Sequence, residues 1–195
     1  MNRELHVQRF EMELDGEDDV MKVLPYLKPG SLKSIWLHES AIDSDPMRLE
    51  VVADTEQWKQ AEYLLMGQMT LPFEKWAHFS KFCIDLQELP LESFREMLEH
   101  FTKNPKFDFC WIACGNLNYR VCMEFLLQFN PSISKKEPET FPGPDVRIES
   151  DESVMKVGIS RRSVSFVKTE KIDNEHGNDV LEASEVMANL EQYFN

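Results

Sequence analysis

Phe79-Ser80-Lys81-Phe82-Cys83-Ile84 and Phe107-Asp108-Phe109-Cys110-Trp111-Ile112 share one apolar spacing, in which the first, fourth and sixth positions are apolar. Val7/Phe10/Met12 and Leu32/Ile35/Leu37 repeat it. The last two apolar positions of each set alternate, so they point to one face of a β-strand, while the first sits just upstream and anchors the turn that leads in. Leucine-rich repeats use this arrangement.

Each instance is followed by a stretch with helical periodicity or by a loop leading to one. After the first come Val20, Val23, Leu24 and Leu27, with Asp18 and Asp19 in an acidic first turn, Pro25 to shorten or kink the helix, and Pro29-Gly30 as the stop. After the second, Asp54 and Gln57 have capping-box spacing ahead of a stripe of Trp58, Ala61, Leu64 and Leu65. Leu91, Phe94, Met97, Leu98 and Phe101 follow the third, between Pro90 and Asn104-Pro105. Tyr119, Cys122, Phe125, Leu126 and Phe129 follow the fourth, ending before Asn130-Pro131. Strand then helix, four times over, implies parallel pairing with right-handed crossovers. The expected fold is therefore α/β, a short irregular leucine-rich-repeat-like strand-helix solenoid with a C-terminal β-hairpin and terminal helix. Irregular, because the repeats are uneven and the Asn or Cys that usually follows a leucine-rich-repeat strand is absent. Some other α/β sheet is the alternative.

Residues 131–144 shift to Ser, Lys, Glu, Pro and Gly, the composition of an exposed connector. Val157, Ile159, Val164 and Phe166 flank Ser160-Arg161-Arg162-Ser163, a hairpin pattern expected to cap the open end of the sheet. A polar stretch follows. Val186, Leu190 and Phe194, with Ala183 and Met187 beside them, then form an amphipathic pattern after Asn178-Asp179; a helix there either docks on the body or serves a partner. The division expected is one repeat domain over 1–170 and a linker plus terminal helix over 171–195.

The formal net charge is -14, from 35 acids against 21 bases, a field that repels phosphate backbones and anionic lipid. Lys135-Lys136 and Arg161-Arg162 are the local basic pairs, a small footprint for nucleic acid. Cys83, Cys110, Cys114 and Cys122 lack paired CxxC spacing and fall in or beside apolar patterns, so they read as buried free thiols in a reducing cytoplasmic or nuclear setting, with no metal. No apolar run is long enough for a bilayer. No Gly-rich phosphate loop, GxSxG elbow or HExxH motif occurs, and His6, His38, His78, His100 and His176 are isolated. No catalytic residue and no cofactor is assigned, and the chain is expected not to be an enzyme.

Three strings are more specific: Leu24-Pro25-Tyr26-Leu27-Lys28-Pro29-Gly30, Leu32-Lys33-Ser34-Ile35 and Thr55-Glu56-Gln57-Trp58-Lys59-Gln60-Ala61. They resemble the FTH (FOG-two homology) domain of nematode F-box A proteins, and the likeness continues through His78-Phe79, Ile84-Asp85-Leu86 and Asn104-Pro105 into Val164 to Lys168. In that family an N-terminal F-box binds the Skp-type adaptor of a cullin ubiquitin ligase, and the FTH domain holds the target. No F-box stretch precedes Leu5, so this chain is expected to be an excised piece or an F-box-less relative, with adaptor binding only through the missing F-box. The resemblance implies a protein target; one branch tethers an RNA-binding regulator of germline sex.

If the repeated apolar residues face the helices, their strand neighbours point to the opposite face. That gives three rows: Glu11, Trp36, Cys83 and Trp111; Glu13, His38, Asp85 and Ala113; Arg9, Ser34, Lys81 and Phe109. Trp36, His38, Cys83, Asp85, Phe109 and Trp111 are the candidate partner-binding residues, with the aromatics as a hot-spot centre. Either this face is open to a partner, or the connector, hairpin or terminal helix covers it and the tryptophans are core. A nucleic-acid-binding regulator acting through Arg161-Arg162 and exposed aromatics is the competing function.

Overall fold

The strand spacing occurs a fifth time, at Ala61/Leu64/Met66, and all five instances lead into parallel strands. The computed structural model of the chain describes residues 5–14, 16–39, 46, 48–129, 145–149 and 153–170. In order along the chain come β1 (Arg9–Leu14), α1 (Glu17–Met21), β2 (Ser34–Glu39), α2 (Glu50–Ala53), α3 (Glu56–Gln60), β3 (Tyr63–Met69) and β4 (Lys81–Leu89). They are followed by α4 (Leu91–Lys103), β5 (Phe109–Leu117), α5 (Tyr119–Leu126), β6 (Asp145–Glu149), β7 (Ser153–Ile159) and β8 (Ser163–Glu170). The architecture is mixed α/β. The described strands form one eight-stranded sheet in the order β1-β2-β3-β4-β5-β8-β7-β6, parallel from β1 to β5 and antiparallel beyond.

Register follows from how each parallel strand starts. Two successive amides donate to a single carbonyl of the preceding strand's leading turn: Lys33 and Ser34 to Gln8 O (2.7 and 3.0 Å), then Glu62 and Tyr63 to Lys33 O (2.8 and 3.0 Å). Ser80 and Lys81 likewise meet Glu62 O (2.9 and 3.2 Å), and Asp108 and Phe109 meet Ser80 O (3.0 and 3.2 Å). A carbonyl oxygen has two lone pairs and accepts both. With every start locked alike, Phe10, Ile35, Leu64, Phe82 and Cys110 stand side by side across the sheet. All five are buried against the helices, as are Leu37, Ile84 and Ile112.

The helices are shorter than their periodicity suggests. α1 ends at Met21, and Leu24–Tyr26 forms a tight 3-10 turn around Pro25. The N-cap of α3 is Thr55, whose Oγ1 accepts from Trp58 N at 3.3 Å, rather than Asp54, which closes α2. The stripe expected to run on through Leu64 and Leu65 stops at Gln60. Ala61 turns extended, and Leu64 and Leu65 enter β3, where pairing with both β2 and β4 outweighs a local helical preference. α4 and α5 lie where expected, although α5 stops before the exposed Phe129.

The hairpin joins the sheet edge-on: β8 pairs with β5, and β7 and β6 extend the sheet outward. β6 was not expected. Phe166 from β8 packs with ring centroids 5.6 Å from Phe94 and 5.4 Å from Phe101. Lys168 Nζ donates to the carbonyls of Phe101, Thr102 and Asn104 at the end of α4, at 3.4, 3.0 and 2.9 Å. The expected connector at 131–144 and the linker and helix at 171–195 lie outside the described residues. No described helix is long and apolar enough to cross a membrane.

Candidate protein-interaction face

Strand alternation sends the second set of side chains to the face away from the helices, where a separate apolar cluster forms from Leu65, Cys83 and Phe109 with half-buried Trp36, Trp111 and Val167 packed against them. Every described member comes from a strand. The central row reads Glu11, Trp36, Leu65, Cys83, Trp111, Ser165 across β1 to β8. The row on its strand-start side reads Arg9, Ser34, Tyr63, Lys81, Phe109, Val167.

All six expected site residues lie on this face, but their neighbours differ from the sequence reading. β3 separates β2 from β4, so Trp36 touches the Leu65 position rather than Cys83, and about 14 Å, three strand spacings, separate the two tryptophan positions. Cys83 is the direct neighbour of Trp111, Asp85 of Ala113 and Phe109 of Lys81. Tyr63, Leu65 and Val167 were missed. The first two follow from the Ala61/Leu64/Met66 spacing, a readable signal once alanine is accepted as an anchor.

The rim is charged. The Arg9 guanidinium lies 3.4 Å from the Trp36 ring centroid and 2.6 Å from Glu11, which also approaches His38 at 3.6 Å. Lys81 pairs with Asp108 at 3.0 Å, and that hydrogen bond raises its pKa. A register shift in β3 between Leu65 and Gln68 opens a depression of about 200 Å³ whose lining includes His38, Gly67, Cys83, Asp85 and Trp111. That is smaller than the roughly 300–1,000 Å³ of ligand sites.

Chemistry elsewhere is subdued. Burial pushes the Cys83 thiol up to about 12 and Cys122 to about 11, and raises Cys110 and Cys114 as well, so none is a thiolate at neutral pH. All four cysteines are free. Among the described residues no group of His, Cys, Asp and Glu is placed to hold a metal. A recess of about 990 Å³ by the starts of β3, β4 and β5 contains His78 and His100. Both rings are engaged by backbone, Nε2 of His78 with Trp58 O at 3.0 Å and of His100 with Ala77 O at 3.1 Å. Burial lowers the His78 pKa.

The motif strings meet on the helix side of the molecule. Gln57 Nε2 donates to Leu27 O at 2.7 Å, tying the EQWKQA string to LPYLKPG, and Trp58 Nε1 donates to Lys75 O at 2.7 Å. A family model for the FTH domain matches residues 1–131. The chain belongs to the FTH domain family. FTH is an interaction-type domain associated with F-box proteins rather than an enzyme family. Comparison with curated proteins and with solved structures returned no significant match. The matched stretch carries β1 to β5 of this FTH domain and so most of the candidate face; β6 to β8 lie beyond it.

Proposed function

We propose that this FTH domain is a target-recognition module that captures a protein segment on the face centred on Trp36 and Trp111. The observation that carries the reading is the strand-only cluster of Trp36, Leu65, Cys83, Phe109, Trp111 and Val167, an apolar centre ringed by Arg9, Glu11, His38, Lys81 and Asp85. Interfaces are commonly built so, with tryptophan and arginine dominating the energy. The four identical strand starts support reading β1 to β5 as a short irregular solenoid, an architecture that offers one strand face to partners. By the family's logic the domain holds targets for a cullin ubiquitin ligase, or tethers a regulator such as an RNA-binding protein, in the cytoplasm or nucleus.

The test is affinity purification with mass spectrometry using the wild-type chain and Trp36→Ala and Trp111→Ala variants, followed by titration of the partner recovered. Each variant should stay folded and lose about 1–2 kcal/mol of affinity, roughly 5- to 30-fold. Loss of folding would make the tryptophans core; unchanged affinity would move the site. A mobility shift at low salt addresses the nucleic-acid alternative, since strong salt-sensitive binding through Arg161-Arg162 would reverse the ranking.

A further inference from the structure

The strand-only face is drier than the described residues explain. Leu65, Cys83 and Phe109 keep 9%, 5% and 8% of their surface, although among the described residues no helix residue joins their cluster and the hairpin extends the sheet sideways rather than lying over it. The face also has an electrical direction. Continuing the Phe109 row through Val167 brings in Lys156 of β7 and Arg147 of β6, so Arg9, Lys81, Lys156 and Arg147 are its charged members and all are basic. Arg9 and Lys81 have carboxylates beside them and Glu149 shares the face of Arg147 two residues on, yet Lys156 stands directly opposite Arg147, a like-charge pair that an anion lying over the face would relieve.

We infer that the resting occupant of this face is the chain's own stretch 179–194. That stretch places Ala183, Val186, Met187, Leu190 and Phe194 at three- and four-residue spacing, carries Asp179, Glu182, Glu185 and Glu191, and contains no Lys or Arg. An apolar stripe flanked by acids matches an apolar row beside a basic one. The attachment point fits as well. β8 ends at Glu170, at the strand-start end of the face where Val167 and Lys156 stand. Residues 171–178 span up to about 26–29 Å when extended, whereas β8 to β2 is four spacings, about 19 Å. Sixteen residues at helical rise cover about 24 Å, enough for the row from Trp36 to Ser165. The 131–144 stretch, by contrast, has prolines at 131, 138, 142 and 144 and no apolar stripe.

A target must then displace this stretch, and a target of the same chemistry, acidic with one apolar stripe, is the class the face accepts. This step rests on the proposed recognition role; the occupancy itself does not. Trp58 and Trp76 are buried in the main core, so acrylamide quenching of the full chain reads Trp36 and Trp111, two of its four tryptophans. In Val186→Asp/Leu190→Asp the quenchable share of emission should rise toward about one half, with an unchanged urea midpoint for the sheet and at most a small loss of helical signal in the far ultraviolet. Lys156→Glu should raise it at low salt, and serves if the double variant misfolds. Equal quenching in wild type and variants overturns the inference, whether the face proves bare in both or shielded in both by a second copy, which dilution would reveal. Target capture separates the two ideas. If the recognition role fails, Trp36→Ala leaves capture unchanged while the quenching result stands; if the occupancy inference holds, the double variant captures more target, and reduced capture overturns it.

Discussion

Gly30 shows how a single residue holds in shape one of the two strings that carry the resemblance most specifically, LPYLKPG. It adopts φ 77°, the left-handed region that side chains resist, in the turn where Ser31 N and Oγ both reach Lys28 O, and an added Cβ would come within 3.1 Å of Gln60 Oε1. Gly30→Ala should therefore lower unfolding free energy by about 1 kcal/mol or more in urea titration. Cysteine chemistry gives a second residue-scale expectation. The folded thiols titrate above the ordinary value of 9.0, Cys83 at about 12, so between those values the unfolded chain releases protons that the folded chain retains. Stability contributed by the buried thiols is full below about pH 9 and is lost as pH rises toward 12. Alkylation should accordingly be slow in the native protein at pH 8 and reach all four cysteines once it is denatured.

Among the elements, the clearest device is Lys168, whose ammonium on β8 closes the carbonyl end of α4 through Phe101, Thr102 and Asn104. A cation at a helix C-terminus in a partly buried setting contributes about 1–2 kcal/mol, so Lys168→Met should lower the urea midpoint accordingly; an unchanged midpoint would show the clamp to be idle. Nothing in the sequence announces it, because a lysine on a strand meets the end of a helix 64 residues earlier only after folding. The same distinction divides the rest of the fold. Strand starts anchored by Leu32, Phe79 and Phe107 were legible, because a large apolar residue marks each one. β3 was not, because its anchor is Ala61 and because Trp58, Ala61, Leu64 and Leu65 fit helical spacing equally well; pairing with β2 and β4 decides the matter, and pairing is nonlocal. The face on which Trp36 and Trp111 stand follows from parity alone and could be read directly. Their separation, and the Leu65 and Val167 positions around them, required the strand order.

At the scale of the molecule the question is whether β6 to β8, which lie beyond the FTH match, form an appendage or part of the same cooperative body. Three couplings argue for one body. β8 hydrogen-bonds along β5 from Phe109 to Ala113, Lys168 holds α4, and Val146, Met155, Val157, Ile159, Val164 and Phe166 belong to the same core cluster as Phe94 and Phe101. Tryptophan placement makes the point measurable: Trp36, Trp58 and Trp76 lie away from the hairpin, whereas Trp111 faces Ser165 across the β5–β8 seam, so in a Trp111→Phe background the remaining emission reports on the β1 to β4 part alone. Phe166 is fully buried against Phe94 and Phe101, so Phe166→Ala removes a large side chain from a packed site and should cost about 3–5 kcal/mol. If the sheet unfolds as one unit, that loss appears in full in the tryptophan-detected urea midpoint and coincides with the circular-dichroism transition. An independent hairpin would instead melt early in circular dichroism and leave the tryptophan midpoint where it was. The shared core requires the first outcome, because Phe94 and Phe101 on α4 cannot lose Phe166 without loosening the helix that packs on β4 and β5.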